Sequence, residues 1–211
     1  MTLKLNGSSS GSVSIDAPAS TTGGADVTLT LPVNDGDAGQ VLKTDGSGNL
    51  SWFTPVTYGS VTAIGTGTEK DIATTSTDVI KYELFVNGLS VSGNNVWKIQ
   101  IGDAGGIETS GYTVSSAYMG NSSAASNDFF TDGWTAWNLD AAAFVCDFKF
   151  TLTRYDGNKW YGQTTIQKTA DDDGTMYWMH GFKELSAALT TIRIAAAGAF
   201  DGGNYKLITY K

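Results

Sequence analysis

Cysteine and histidine are almost absent: the 211 residues hold one of each, Cys146 and His180. A single cysteine excludes an intrachain disulfide. One His and one Cys also fall short of the three or four donors of an ordinary zinc site. Aromatic residues are missing from the first 51 positions, and only Trp52 and Phe53 of the six Trp, nine Tyr and nine Phe lie in residues 1–55. No apolar run approaches the length of a membrane-spanning helix. Met1-Thr2-Leu3-Lys4 opens no basic-then-apolar leader. The expectation is a chain made in a cytoplasm, without leader-directed secretion or membrane insertion. Basic clusters are lacking too. Thirteen Lys and Arg face 21 Asp and Glu, for a formal net charge of −8 and a pI near 4.4. Nucleic-acid backbones are therefore disfavoured as partners, and the acidic surface favours solubility at high copy number. Long helix-forming stretches are nearly absent as well.

Gly, Thr and Ser dominate what is there, with aromatic residues suited to strands. The first 55 residues repeat one phrase: a few alternating apolar residues, then Gly, Ser, Asn or Asp. Leu3 and Leu5, Val13 and Ile15, and Val27, Leu29 and Leu31 each alternate with polar neighbours, the period of a half-buried strand. These apolar residues are few and small. Alone they cannot offset the entropy of ordering the segment. Strict alternation implies that the missing core comes from other copies of the chain. All three prolines (Pro18, Pro32 and Pro55) fall in this segment, and the composition changes at Pro55. Two domains are expected, 1–55 and 56–211.

From Val61 onward, strands recur at the spacing of sandwiches and barrels. In residues 78–86, Ile80, Tyr82, Leu84 and Val86 share one face. Asn87 and Gly88 form a hairpin signal, and Val91 begins or ends a short neighbour. Trp97, Ile99 and Ile101 oppose Lys98 and Gln100. In residues 144–155, Phe144, Cys146, Phe148, Phe150 and Leu152 face in, and Asp147, Lys149, Thr151 and Thr153 face out. Asp156, Gly157 and Asn158 turn this strand into 159–168. A tight loop at 171–174 leads to 175–182. Residues 189–195 and 205–210 read as two closing strands, and 184–189 as one helical turn. Residues 102–143 read as long surface loops, where function commonly sits. The fold class is all-β: a short extended stem followed by a jelly-roll-like β-sandwich head.

Chemical motifs are weak. His180 lies in a strand pattern and Cys146 in an apolar one, so a structural role outweighs nucleophilic catalysis for both. Asp171, Asp172 and Asp173 could offer oxygens to Ca²⁺, but no bidentate Glu follows at the required spacing, and an exposed loop tip fits as well. The Gly102-Asp103-Ala104-Gly105-Gly106 run lacks the Lys and helix of a phosphate loop. Asp132, Asp140, Asp156 and Glu108 are loop acids without a distinguishing context for glycoside hydrolysis. No catalytic residue, cofactor or metal is expected. Aromatic rings stack on sugars, but they also fill cores and interfaces. Core or interface is the more economical assignment for Tyr155, Trp160, Tyr161, Tyr177 and Trp178. Asp103, Glu108, Tyr112, Trp134 and Trp137 are the receptor-binding candidates of 102–143.

Several phrases carry a resemblance. Met1-Thr2-Leu3-Lys4-Leu5-Asn6-Gly7, Ile15-Asp16-Ala17-Pro18-Ala19, Leu29-Thr30-Leu31-Pro32 and the phrase Gly-Gln-x-Leu-x-Thr-Asp-Gly-x-Gly-x-Leu-x-Trp at 39–52 resemble the N-terminal module of tail-fibre-like virion proteins of marine bacteriophages. Residues 100–112 are similar to heads of such proteins, which are trimeric jelly rolls. The resemblance implies an intertwined trimeric β stem bearing a head on the virion surface. The partners it implies are two further copies, other virion proteins through residues 1–55, and a host surface polysaccharide. It leaves open a short tail fibre or a capsid decoration protein. A polysaccharide depolymerase is the alternative from another class, disfavoured by the single His and the small size.

Overall fold

The computed structural model describes residues 3–74, 78–93, 96–119, 126–136, 145–168 and 176–211. The chain divides into two compact units, Met1–Pro55 and Val56–Lys211. Trp137, Asp140, Phe144 and residues 171–174, which the sequence singles out, lie outside the described residues.

The first unit holds two hairpins, and the segment between them carries one 3-10 turn at Thr22–Gly24. Strands β1 (Leu3–Asn6) and β2 (Ser12–Ile15) pair antiparallel, as do β3 (Val41–Thr44) and β4 (Leu50–Phe53). Residues 27–31 form no full strand. Their one ladder contact is a parallel bridge from Thr30 to Asn49. The phrase at 39–52 folds as the second hairpin. Asp45 holds its turn by accepting from the Ser47 and Asn49 backbone N–H groups at 2.7 and 3.1 Å and from the Asn49 amide at 2.7 Å. These donors keep its carboxyl below the usual range. Gly36 lies against the Trp52 ring, where a Cβ would collide, and the Trp52 indole N–H donates to the Asn34 carbonyl at 2.9 Å.

The second unit is all-β: among the described residues, one antiparallel sheet that curls on itself. Its strands are β5 (Val56–Tyr58), β6 (Thr62–Ala63), β7 (Gly67–Ala73), β8 (Lys81–Val91), β9 (Trp97–Asp103), β10 (Gly106–Ile107), β11 (Tyr112–Met119), β12 (Ser126–Phe130), β13 (Trp134–Ala136), β14 (Val145–Asp156), β15 (Lys159–Lys168), β16 (Met176–Glu184) and β17 (Thr191–Tyr210). The order runs β10-β9-β17-β8-β14-β15-β16-β11-β12. The long β17 serves both halves of the sheet. Its first part pairs β9 and β7, and its last part pairs β8, β5 and β6. Ring contacts between strands that are not ladder neighbours show the halves facing each other. Trp97 of β9 stacks on Phe148 of β14 at 4.7 Å, and Trp134 of β13 meets Phe150 of β14 at 5.2 Å. All the buried apolar side chains among the described residues belong to this unit.

Several expectations change. Asn87 and Gly88 do not turn a hairpin; β8 continues through them. Val86 pairs with Phe148 and Leu89 with Cys146, so β8 holds one extra residue, and it holds one extra against β17 too, where Asn87 pairs with Asn204 and Ser90 with Gly202. This is a β-bulge, with Gly88 at φ 66°. It lets Val86 and Leu89 both face the core despite their odd spacing. Val91 ends this same strand. Ile80, expected inside, precedes β8 and is 57% exposed. The described residues of 102–136 are mostly strand rather than loop, with β10 to β13 in them. Residues 184–189 form no helical turn: Glu184 ends β16 and 185–190 are irregular, while 191–195 and 205–210 belong to one long strand, β17.

Candidate functional site

The sequence-selected residues of 102–136 are brought together inside the fold. Asp103 ends β9 and faces a tight turn into β10. Its carboxylate accepts from Gly105 N–H at 2.8 Å, from the Ser186 hydroxyl at 2.6 Å and from Ala187 N–H at 2.9 Å. Its pKa is lowered, chiefly by Ser186 and then by Gly105. The glycine-rich run is thus a hairpin tied to the 185–189 segment. Glu108 pairs with Lys183, which is only 5% exposed, and accepts from Ser186 N–H at 3.1 Å.

Tyr112 is 1% exposed. Its hydroxyl donates to the Glu108 carbonyl and accepts from Ile101 N–H at 2.8 Å. Burial raises its pKa. Trp134 is fully buried, edge-on to Tyr112 at 5.3 Å, and its indole N–H donates to the Gly181 carbonyl. Tyr112 and Trp134 are therefore core residues, because β11 and β13 turn them inward. Asp103 and Glu108 are committed to internal partners. Asp103, Tyr112 and Trp134 are buried and offer no free face to a receptor, whereas Glu108 remains partly exposed beside Lys183.

The other aromatics divide between the two faces of the sheet, with Trp160 and Tyr177 in the core as expected. Trp160 and Tyr177 are buried, whereas Tyr161, Trp178 and Phe182 are half-buried on the outer face and Tyr155 is 69% exposed. The signal for this was strand parity. Trp160 and Tyr161 are neighbours and must point to opposite faces.

That outer face is ordered in rows across strands β14, β15, β16 and β11. Thr151 pairs with Gln163, Gln163 with His180, and His180 with Ser115, giving a row of hydrogen-bonding side chains. One row along, Thr153, Tyr161, Phe182 and Thr113 lie in register. On the other side lie Thr165, Trp178 and Ala117. The polar row thus runs between two aromatic flanks. Tyr161 and Phe182 rings meet at 5.0 Å, Tyr155 adds an edge contact to Phe182 at 5.6 Å, and the Lys159 ammonium lies 5.3 Å from the Phe182 ring centre. A shallow depression of about 450 Å³ follows the polar row, with Lys149 at one side. Lys149 lies 3.5 Å from Glu83, whose carboxylate also takes the Tyr210 hydroxyl and Lys81.

His180 is exposed on this face, and Cys146 is buried on the opposite one. Side chains on opposite faces of the sheet, with β15 between their strands, cannot form a Cys-His dyad. The Cys146 thiol is pushed well above its ordinary range by burial, the opposite of a reactive thiolate. Among the described residues, no group of three or more His, Cys, Asp or Glu side chains is placed to hold a metal ion. No helix among them is long and apolar enough to cross a membrane.

The first unit presents a different kind of surface. Leu3, Leu5, Ile15, Val27, Leu29, Leu31, Val33, Val41 and Leu42 are all exposed, and none of its described apolar side chains is buried. Alternation in a segment with no aromatic residue before Trp52 produces this: the apolar faces exist, and the described residues of the segment itself do not cover them.

No family model matches the chain, and no curated protein matches it.

Proposed function

We propose that this chain is a non-enzymatic structural protein of a bacteriophage virion surface: a homotrimer whose residues 1–55 form an intertwined stem and whose residues 56–211 form a jelly-roll head. The observation that carries the oligomeric part is the set of nine exposed aliphatic residues in the first unit. Nine exposed aliphatic side chains on so short a segment are unfavourable in water, and identical neighbours in closed symmetry are the usual way to cover them. The resemblance of residues 1–52 to tail-fibre-like virion proteins supports three copies and a place on the particle. The stem then anchors to other virion proteins, and the head faces outward as a short tail fibre that contacts the host surface.

Light scattering after size exclusion tests the oligomer. A mass near three times the 22.2 kDa chain is expected, and a mass near one chain overturns it. Labelled antibody on intact particles tests the position. Label at the tail is expected. Label spread over the capsid replaces the fibre reading with a decoration role, in which the protein clamps capsid subunits.

A further inference from the structure

We infer that the outer face of β14, β15, β16 and β11 is a glycan-binding track for an acidic polysaccharide lying across the strands. The inference deepens the host-contact part of the proposed function and rests on it. The track is the row Thr151, Gln163, His180 and Ser115, in which each member is the ladder neighbour of the next. Neighbouring strands are about 4.8 Å apart. The row therefore offers a hydroxyl, amide or imidazole at roughly the spacing of successive sugar rings. Pyranose hydroxyls need such donors and acceptors in the plane of the ring.

The flanks supply the apolar contact. Same-face residues along a strand recur about every 6.8 Å, so Tyr161 and Phe182 stand one step to one side of the row and Trp178 one step to the other. Trp178 has small ladder neighbours, Thr165 and Ala117, which leave its ring room to lie against a ligand. Sugar C–H faces pack on such rings at little entropic cost, since the rings are already held by the sheet. The depression of about 450 Å³ lies along this row.

Charge selects the class of sugar. The chain carries a net charge of −8, yet the residues lining the depression include Lys149 and His180 and no carboxylate. Beside it, Glu83 faces two lysines, Lys81 and Lys149. At the far end of the aromatic flank, Glu184 is the ladder neighbour of Lys159. Glu83 is also the ladder neighbour of Thr151 and continues the row. Two lysines face its one charge, so the track carries a single lysine in surplus on an otherwise acidic protein, which suits uronate or sulfate groups. A second copy of the chain is the competing occupant. The row is too polar for that: Thr113, Ser115, Gln163 and Thr165 are all exposed, whereas the centre of an obligate interface is apolar.

An array of uronate-bearing, sulfated and neutral glycans, probed with the intact protein, tests the inference. Binding confined to anionic glycans is expected, with about tenfold weaker binding for Trp178→Ala and for Gln163→Ala, which between them remove one ring and one polar group. Lys149→Gln should lower the preference for anionic over neutral glycans. Circular dichroism and light scattering on each variant separate a local loss from misfolding or dissociation. No binding to any glycan, or binding unchanged in both Trp178→Ala and Gln163→Ala, overturns the track. Loss of the oligomer in folded Trp178→Ala overturns it in favour of an interface between copies. None of these results bears on the stem, which is judged by the mass of the wild-type chain and its place on the particle.

Discussion

A Cβ on Gly162 would lie 2.5 Å from Phe150 Cζ and 2.6 Å from Trp134 Cζ2, so the Trp134 indole fills the space a side chain at 162 would need. Gly162 pairs with Gly181 on the next strand, and the Gly181 carbonyl accepts the Trp134 indole N–H. Two glycines on neighbouring strands thus make a floor for one ring. Gly162→Ala should destabilise by about 1–3 kcal/mol through overpacking. Trp134→Ala should cost about 3–5 kcal/mol through the cavity it leaves. Denaturant melts of the full chain check both; a Gly162→Ala melt equal to wild type would mean that Trp134 does not lie over β15.

The bulge in β8 makes a second test. Asp147 faces outward, as its strand parity requires, yet it is not a neutral surface residue. Its carboxylate accepts from Gly88 N–H at 2.6 Å and from the Asn87 amide at 3.0 Å, closing the bulge from the neighbouring strand. Asp147→Leu should cost about 1–3 kcal/mol, because the Gly88 N–H loses its acceptor in a partly buried site. Asp147→Asn keeps an oxygen there and should cost less. Phe148→Ala, one residue along and stacked on Trp97, should cost about 3–5 kcal/mol. Equal melts for Asp147→Leu and Asp147→Asn would show that the acceptor is not what matters.

These two sites also show what could be read in advance. The alternation of Cys146, Phe148, Phe150 and Leu152 is plain in the sequence because β14 is regular and buried on one face only. The turn at Asp156, Gly157 and Asn158 is equally plain, since its flanking strands alternate. Asn87 and Gly88 mislead because a bulge and a hairpin turn ask for the same residues, and only the neighbouring strands decide between them. Trp134 misleads for a related reason. The strand β13 is three residues long, too short to show a period, and sits among glycines that pack against rings instead of forming loops. The outer track is not legible at all from one strand. Thr151, Gln163, His180 and Ser115 meet only through strand register.

Asp103 should give the head a measurable acid sensitivity. Its folded pKa is depressed, first by the Ser186 hydroxyl and then by the Gly105 N–H. The unfolded carboxyl titrates near its ordinary value of about 4. The stabilisation is therefore fully present above that value and is lost as pH falls through the lower folded one. Melting temperatures of wild type and Asp103→Asn should differ most above the ordinary value and converge as the pH drops below it. A difference that is constant with pH would mean that the carboxylate's charge contributes nothing.

The stem makes the last test, and it separates covering from folding. Every described buried apolar residue lies between Ile64 and Phe200, so the core is built from side chains of the second unit. A chain starting at Val56 should keep a cooperative melt but fall from oligomer to single chain. In the full chain, Leu29→Ser and Leu31→Ser together should weaken assembly without lowering the melt of the head. Each leucine that becomes fully covered contributes about 1.5–3 kcal/mol, and in a closed trimer the pair recurs in every copy, so the combined loss is large against a subunit interface. Sedimentation at falling concentration reads this directly: the variant should dissociate at concentrations where wild type remains assembled. If the variant stays assembled, residues 27–31 are not the covered face. If the chain from Val56 also stays assembled, the head rather than the stem holds the copies together.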